Sequence, residues 1–235
     1  MRKFVYLDVG DTLLHLRISP SQIYVNIFQK HQLLTENYST EFLLSEFYKS
    51  MNFLNSKLDK DFRDRYSLHP EGHEGWWKEL IELFLKNLKP TSNYISKEIY
   101  QEIFSTFEDT SIWEIDKGFY ELLEFVRENK IGLGIISNWD LRLRNLLTRL
   151  NLIENFENVL ISSEFGYEKP SPLIFQEAEK LASTTKENLY YVGDKPELDY
   201  YPPRKLGWKS FLISSKPKEG FLQIQNLAEL IPYLS

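Results

Sequence analysis

The chain has 235 residues, with 28 lysines and arginines against 34 aspartates and glutamates, a formal net charge of -6 and no cysteine. That length suits one domain, or one domain carrying a large insertion, and a 42% hydrophobic share with 16 Phe, 14 Tyr and 5 Trp excludes wholesale disorder. The lack of thiols excludes a disulfide framework, a thiolate metal site and a cysteine nucleophile, while the acidic balance argues against nucleic acid, whose phosphates call for a basic excess.

Phe4-Val5-Tyr6-Leu7 is a short, apolar, β-prone run that stops at Asp8, and it predicts a buried strand. The stretch from Phe4 to Leu14 is too short, and too broken by Asp8 and Asp11, for a signal-peptide core or a membrane span. No later run approaches the ~20 apolar residues of a spanning helix, so the expectation is a soluble, cytoplasmic protein with no membrane partner. Asn37-Tyr38-Ser39 fits a glycosylation acceptor, but without a secretion signal a chance match is the simpler account.

From Pro20 to about Phe107 the pattern becomes helical. Ile23, Ile27 and Phe28 make one stripe, and Leu43, Phe47, Met51, Leu54 and Leu58 a second, with Ser39 or Thr40 as its N-cap. Trp77, Leu80, Ile81, Phe84 and Leu88 form a third, and Ile95, Ile99, Ile103 and Phe107 a fourth, so the segment predicts a small bundle of four helices. Beyond it, helices and strands alternate. Phe119 to Val126 reads as a helix, Ile131 to Ile136 as a strand, and Leu141 to Leu150 as a helix, with Arg142, Arg144 and Arg149 on its solvated face and Asp140 as its N-cap. Strands follow at Val159 to Ile161 and Leu189 to Val192 around a helix from Pro172 to Leu181, and Phe211 to Ile213 reads as the last strand. This alternation predicts an α/β fold with a parallel sheet, helices on both faces, and the bundle inserted after the first strand.

In open parallel sheets the ligand site lies beyond the carboxyl ends of the strands. Those ends carry Asp8 in Asp8-Val9-Gly10-Asp11-Thr12, then Ser137-Asn138, then Glu168-Lys169-Pro170-Ser171-Pro172, then Gly193-Asp194 with Asp199 close behind. Carboxylates, a hydroxyl and a lysine on one edge require a compensating cation or an anionic substrate. Phosphoryl transfer through an aspartate fits them, because a carboxylate can attack phosphorus once a hard cation screens the repulsion of two anions. Magnesium takes oxygen ligands, for which Asp8 and Asp194 are candidates together with a backbone carbonyl after Asp8. Ser137 and nearby amides are candidates to bind a phosphate oxygen, and Lys169 to neutralise the nucleophile or the transferring group.

This combination resembles the haloacid dehalogenase-like (HAD) hydrolase superfamily, whose four sequence motifs stand in order. Asp8-Val9-Gly10-Asp11-Thr12-Leu13 resembles the first, the strand ending in Ser137 the second, Lys169 in Lys169-Pro170-Ser171-Pro172 the third, and Gly193-Asp194 with Asp199 the fourth. Ser137-Asn138-Trp139-Asp140 and the Trp76-Trp77 pair are similar to the haloacid dehalogenase-like hydrolase domain-containing 3 subgroup. The resemblance implies a Rossmann-like core of residues 1–16 and 108–235 with a helical cap of residues 17–107. It implies a magnesium-dependent phosphatase acting on a small phosphorylated metabolite through an aspartyl-phosphate. Asp8 is then the nucleophile, Asp8, the Gly10 carbonyl, Asp194 and Asp199 the metal site, and Ser137, Asn138 and Lys169 the groups that hold substrate. Asp199 serves equally to orient Asp194 or a metal-bound water.

One position departs from the pattern. Phosphatases of the superfamily place a second aspartate, their general acid–base, two residues after the nucleophile; here that residue is Gly10, and Asp11 follows one place later. General acid–base catalysis contributes ~10²–10⁴ in rate. Three alternatives stand: Asp11 re-aimed to do the work, a substrate with a good leaving group such as an acyl or aryl phosphate, or a weak or inactive phospho-ligand binder on the same scaffold. Dehalogenases of the superfamily also lack the second aspartate but need no magnesium, and the retained Asp194 and Asp199 argue against that chemistry.

His69 and His73, with Glu71 and Glu74 nearby, imitate a metal site. Pro70, Gly72 and Gly75 prevent the single helix face that such spacing requires, so a loop entering the helix of Trp76 and Trp77 is expected instead. Those two tryptophans read as helical-bundle core.

Overall fold

The computed structural model describes residues 2–58 and 60–235. Its strands are, in chain order, β1 (Phe4–Leu7), β2 (Leu14–Leu16), β3 (Trp113–Ile115), β4 (Gly132–Ser137), β5 (Asn158–Ile161), β6 (Leu189–Gly193), β7 (Lys209–Ile213) and β8 (Gln223–Ile224). Six of them form one parallel sheet in the order β5-β4-β1-β6-β7-β8, which puts β1 in the interior between β4 and β6. Alternation along β1 sorts the core into two layers. Val5 and Leu7 face one cluster with Leu133, Ile135 and Val192, whereas Phe4 and Tyr6 face another with Ile136, Leu189 and Tyr191.

Between β2 and β3 run α1 (Pro20–Lys30), α2 (Thr40–Asn55), α3 (Arg65–Leu68), α4 (Gly72–Asn87) and α5 (Lys97–Glu108). Ser19 caps α1 by accepting from the Gln22 amide, with Pro20 at the first position, and Ser39 caps α2 by accepting from the Phe42 amide. Their apolar stripes meet in a third cluster that includes Tyr24, Phe28, Phe47, Trp76, Leu80 and Phe84. β2 and β3 pair antiparallel, Leu14 opposite Ile115 and Leu16 opposite Trp113, so the chain leaves for these helices and returns from them side by side.

The remaining helices are α6 (Phe119–Glu128), α7 (Arg142–Arg149), α8 (Ser162–Phe165), α9 (Pro172–Ala182), α10 (Tyr201–Lys205) and α11 (Ile231–Leu234). Leu122, Val126, Leu143 and Leu147 of α6 and α7 join the Val5 layer, and Ile174, Phe175 and Ala178 of α9 join the Tyr6 layer. Both faces of the sheet are thereby covered, as the alternating pattern predicts. Among the described residues no helix is long and apolar enough to cross a membrane.

Three features differ from the sequence expectation. β7 is followed by β8, whose two residues are too few to show a period. The inserted helices number five among the described residues, because α3 is one turn capped by Asp64 and carries no repeating stripe. Arg142 is not a solvated arginine: the Asp140 carboxylate does cap the start of α7 by accepting from the Arg142 amide at 3.0 Å, but the Arg142 side chain is 18% exposed against Asp140 at 0%. Arg142 turns back onto Asp140 because a fully buried carboxylate needs a charged, hydrogen-bonding partner.

Candidate active site

The ends of β1, β4 and β6 and the loop after α8 deliver the polar groups. Asp8 follows β1 directly and its amide donates to the Val192 carbonyl at 2.9 Å, which ties the residue to the neighbouring β6. One Asp8 oxygen, Oδ1, accepts from Ser137 Oγ at the end of β4 (2.9 Å) and from Lys169 Nζ (2.8 Å). Lys169 is 2% exposed and also donates to Asp199 Oδ1 at 2.6 Å and to the Tyr191 hydroxyl at 2.8 Å. An ammonium has three N–H groups, so all of them are engaged within the protein. Burial opposes the Lys169 charge, yet the Asp199 and Asp8 carboxylates outweigh it and hold the lysine above its ordinary pKa. Tyr191 passes its own proton to the Ile136 carbonyl at 2.9 Å.

Asp199 lies in a π-helical turn, Pro196–Tyr200, that follows β6. There its second oxygen accepts from the Lys195 amide at 3.0 Å. The approach requires Gly193, since a Cβ at that position would stand 2.4 Å from Asp199 Cβ. Asp194 projects from the same loop and pairs with the Lys195 ammonium. Burial first, and then the Asp8 charge, push the Asp194 carboxyl up to about 6 in spite of Lys195. Asp8, Asp194 and Asp199 each bring one carboxylate oxygen within 4.8 Å of the others. Among the described residues the three carboxylates are paired with Lys169 and the half-exposed Lys195, so one further positive charge is wanted. A hard divalent cation suits that all-oxygen donor set.

The other expected residues fall as follows. Gly10 forms a bridge with Leu14, and no described backbone amide donates to its carbonyl. Asp11 adopts a φ of 55°, and its side chain is 70% exposed with the carboxylate 3.9 Å from Lys195 Nζ. Asn138 spends its side-chain amide on the lysine loop, donating to the Lys169 carbonyl at 2.8 Å and accepting from the Lys169 amide at 2.7 Å. It therefore holds Lys169 in place instead of pointing a free amide at a ligand. His69 and His73 do not converge: His69 follows α3 and its Nδ1 accepts from the Glu71 amide, while His73 lies inside α4, which begins earlier than Trp76.

Several participants escape a sequence reading. Tyr191 sits in a strand and reads as core. Arg65 of α3 forms a fork on Glu168, at 2.7 and 3.0 Å, beside the lysine at the sheet edge. Burial raises the Glu168 carboxyl even so, since its cost exceeds what Arg65 returns. Trp77 of α4 donates to Asp140 at 2.7 Å, and Arg142 grips the same carboxylate at 2.6 and 2.9 Å while lying over the Phe104 ring. Two charged clasps thus join the inserted helices to the loops at the sheet edge. The only prior signal for them was the placement of Glu168 next to Lys169 and of Asp140 after Ser137-Asn138. Between the helices and the strand ends lies a cavity of about 560 Å³, reaching from Asp8, Ser137, Lys169 and Asp194 to Tyr24, Trp77 and Phe104.

Known proteins share this fold. A haloacid dehalogenase-like hydrolase family model matches residues 3–207. The human haloacid dehalogenase-like hydrolase domain-containing protein 3 is 31% identical over 97% of this chain and 91% of its own length. Among solved structures, the putative HAD hydrolase YfnB of Bacillus subtilis bound to magnesium superposes with a TM-score of 0.75 at 16% identity, covering 100% of this chain and 99% of that one. A HAD phosphatase from Thermococcus onnurineus superposes with a TM-score of 0.65 at 18% identity, covering 99% of this chain and 97% of that one. With the family pattern matched across most of its length and the charged groups gathered at the sheet edge, the chain belongs to the haloacid dehalogenase-like hydrolases.

Proposed function

We propose that this hydrolase is a magnesium-dependent phosphatase that works through a phosphorylated Asp8. The observation that carries the proposal is the asymmetry of Asp8. Its Oδ1 is held by Ser137 and Lys169, while no described group is bonded to Oδ2, and the residue lines the cavity beside Asp194. A carboxylate with one oxygen fixed and the other open is oriented for attack.

Asp8, Asp194, Asp199 and the Gly10 carbonyl would hold the cation, which when bound would screen the repulsion between the carboxylates and an incoming phosphate dianion. Lys169 keeps Asp8 aimed through its bond to Oδ1. It acts through Asp8, because its N–H groups are already engaged. The amides of Gly10 and Asn138, to which no described backbone carbonyl is bonded, are available to phosphoryl oxygens. The helices of residues 17–107 act as a cap that shields the phosphoryl group from bulk water. Asp8 forms the bond to phosphorus as the leaving oxygen departs, and water then releases phosphate from the aspartyl-phosphate.

The test is phosphate release from a panel of phosphate esters. Turnover should require magnesium, stop on chelation, and fall by ~10³ or more in Asp8→Asn.

A further inference from the structure

The proposed phosphatase leaves its leaving group unassigned, and two independent features of the cavity bear on it. The first is the missing acid. A Cβ at Gly10 would meet only the Trp139 ring at 3.5 Å, an ordinary contact, and the residue has no positive φ. The fold would therefore admit an aspartate there, and glycine is not a steric necessity. Asp11 lines the cavity, but its side chain is 70% exposed and its carboxylate is turned to Lys195 Nζ at 3.9 Å, so nothing holds it over the leaving oxygen. A leaving oxygen must then depart carrying its own negative charge. Phenols ionise near pH ~10, as tyrosine does, and tolerate this, whereas an aliphatic alkoxide is far more basic and needs a proton as it leaves.

The second feature is the wall. Toward the inserted helices the cavity is lined by aromatic rings, among them Phe47, Trp77 and Phe104, and Trp139 adds another beside Gly10. The charged residues on that side are already paired, Arg65 with Glu168 and Arg142 with Asp140. The smaller polar residues are used as well: Ser19 binds Ser21 and the Gln22 amide, and Asn55 accepts from Arg65. A sugar or polyol would find few partners for its hydroxyls here. Tyr48 keeps an open hydroxyl at the exposed rim, and Tyr24 and Tyr66 are the buried exceptions. They are 2% and 6% exposed, both line the cavity, and neither hydroxyl is bonded to another described residue. Their hydroxyls open onto the cavity and have no protein partner, which leaves each of them to water or to a polar group of a ligand.

We propose that the substrate is a phosphate monoester of a phenol, whose uncharged aromatic ring packs on these walls and carries a polar substituent to Tyr24 and Tyr66. The inference rests on the phosphatase proposal above. In the first step an Asp8 oxygen bonds to phosphorus, and the bond from phosphorus to the aryl oxygen breaks with its electron pair leaving on oxygen. In the second, water bonds to phosphorus and the bond to Asp8 breaks. Of the water's two protons one stays on phosphate and the other reaches the phenolate through solvent, so ester plus water gives phenol plus inorganic phosphate.

The experiment compares 1-naphthyl phosphate, phenyl phosphate and 4-hydroxyphenyl phosphate with glucose 6-phosphate and glycerol 3-phosphate, at saturating magnesium. Alongside it, 1-naphthol binding is followed by quenching of tryptophan fluorescence, which needs no turnover. Aryl esters should lead in kcat/KM by ~10² or more. Gly10→Asp should narrow that lead by raising the alkyl esters, and Tyr24→Phe or Tyr66→Phe should raise KM for 4-hydroxyphenyl phosphate but not for phenyl phosphate. Equal or better turnover of the sugar and polyol phosphates, with no quenching by 1-naphthol, would overturn the substrate class and leave the phosphatase proposal standing. No phosphate from any ester would overturn both, and 1-naphthol quenching would then report a binding cavity alone.

Discussion

At the residue scale the site depends on how closely backbone and side chain can approach. Asp199 reaches Lys169 over Gly193, with no room for a methyl group between them. Gly193→Ala is expected to destabilise the protein by ~1–3 kcal/mol, as overpacked cores do, and to lower turnover because Asp199 can no longer hold Lys169. Thermal unfolding and phosphate release measured on the same variant check both halves. A variant with unchanged melting and full activity would show that the turn shifts freely. Gly10 illustrates the opposite case. It is a glycine with space above it, so what it lacks is chemistry and not volume.

At the scale of elements, the inserted helices are bound to the sheet edge through charge. Arg65 and Glu168 are both largely buried, at 14% and 2% side-chain exposure. Cutting one member of such a pair strands the other, so Arg65→Ala should cost ~3 kcal/mol or more. The double variant Arg65→Met with Glu168→Leu should recover most of that loss, because it removes the desolvated charge altogether. Melting temperatures of the single and double variants decide it; equal losses in both would mean that packing, not the stranded carboxylate, is responsible. This clasp also shows where sequence legibility ends. Asp8, Ser137, Lys169 and Asp194 could be placed because a strand in a parallel sheet ends on one edge, which turns position along the chain into position in space. Arg65 meets Glu168 across the surface of two separate elements, and no local period encodes that meeting. Tyr191 is hidden for another reason, since its phenol serves Lys169 while its ring packs with Phe175, and only the ring is visible as hydrophobic pattern. The one-turn α3 and two-residue β8 fall below the length at which periodicity is readable.

At the scale of the whole molecule, pH should act on stability through ion pairs at opposite ends of the scale. Burial alone would raise Asp140, but Arg142 and the Trp77 hydrogen bond outweigh it and hold the carboxyl below its ordinary 3.8. A depressed acid contributes fully above that value and loses its contribution as pH falls through the lower folded value. His15 is raised above 6.5 chiefly by the Asp116 carboxylate, 3.7 Å from its Nε2. Its contribution is complete below 6.5 and fades as pH rises through the folded value. Acid unfolding should therefore begin below pH 3.8, and Asp140→Asn should make the protein less stable at neutral pH with a shallower loss on acidification. Chemical denaturation across pH checks this, and parallel curves for parent and variant would remove Asp140 from the acid response.

These scales meet at Asp8, where strand, lysine loop and cavity converge. Phosphate release at saturating magnesium, compared between the parent protein and Asp8→Asn with one responsive phosphate ester, tests the central claim most directly. Turnover should be lost in Asp8→Asn and lost from the parent on chelation. Release that persists without Asp8, or without a divalent cation, would contradict it.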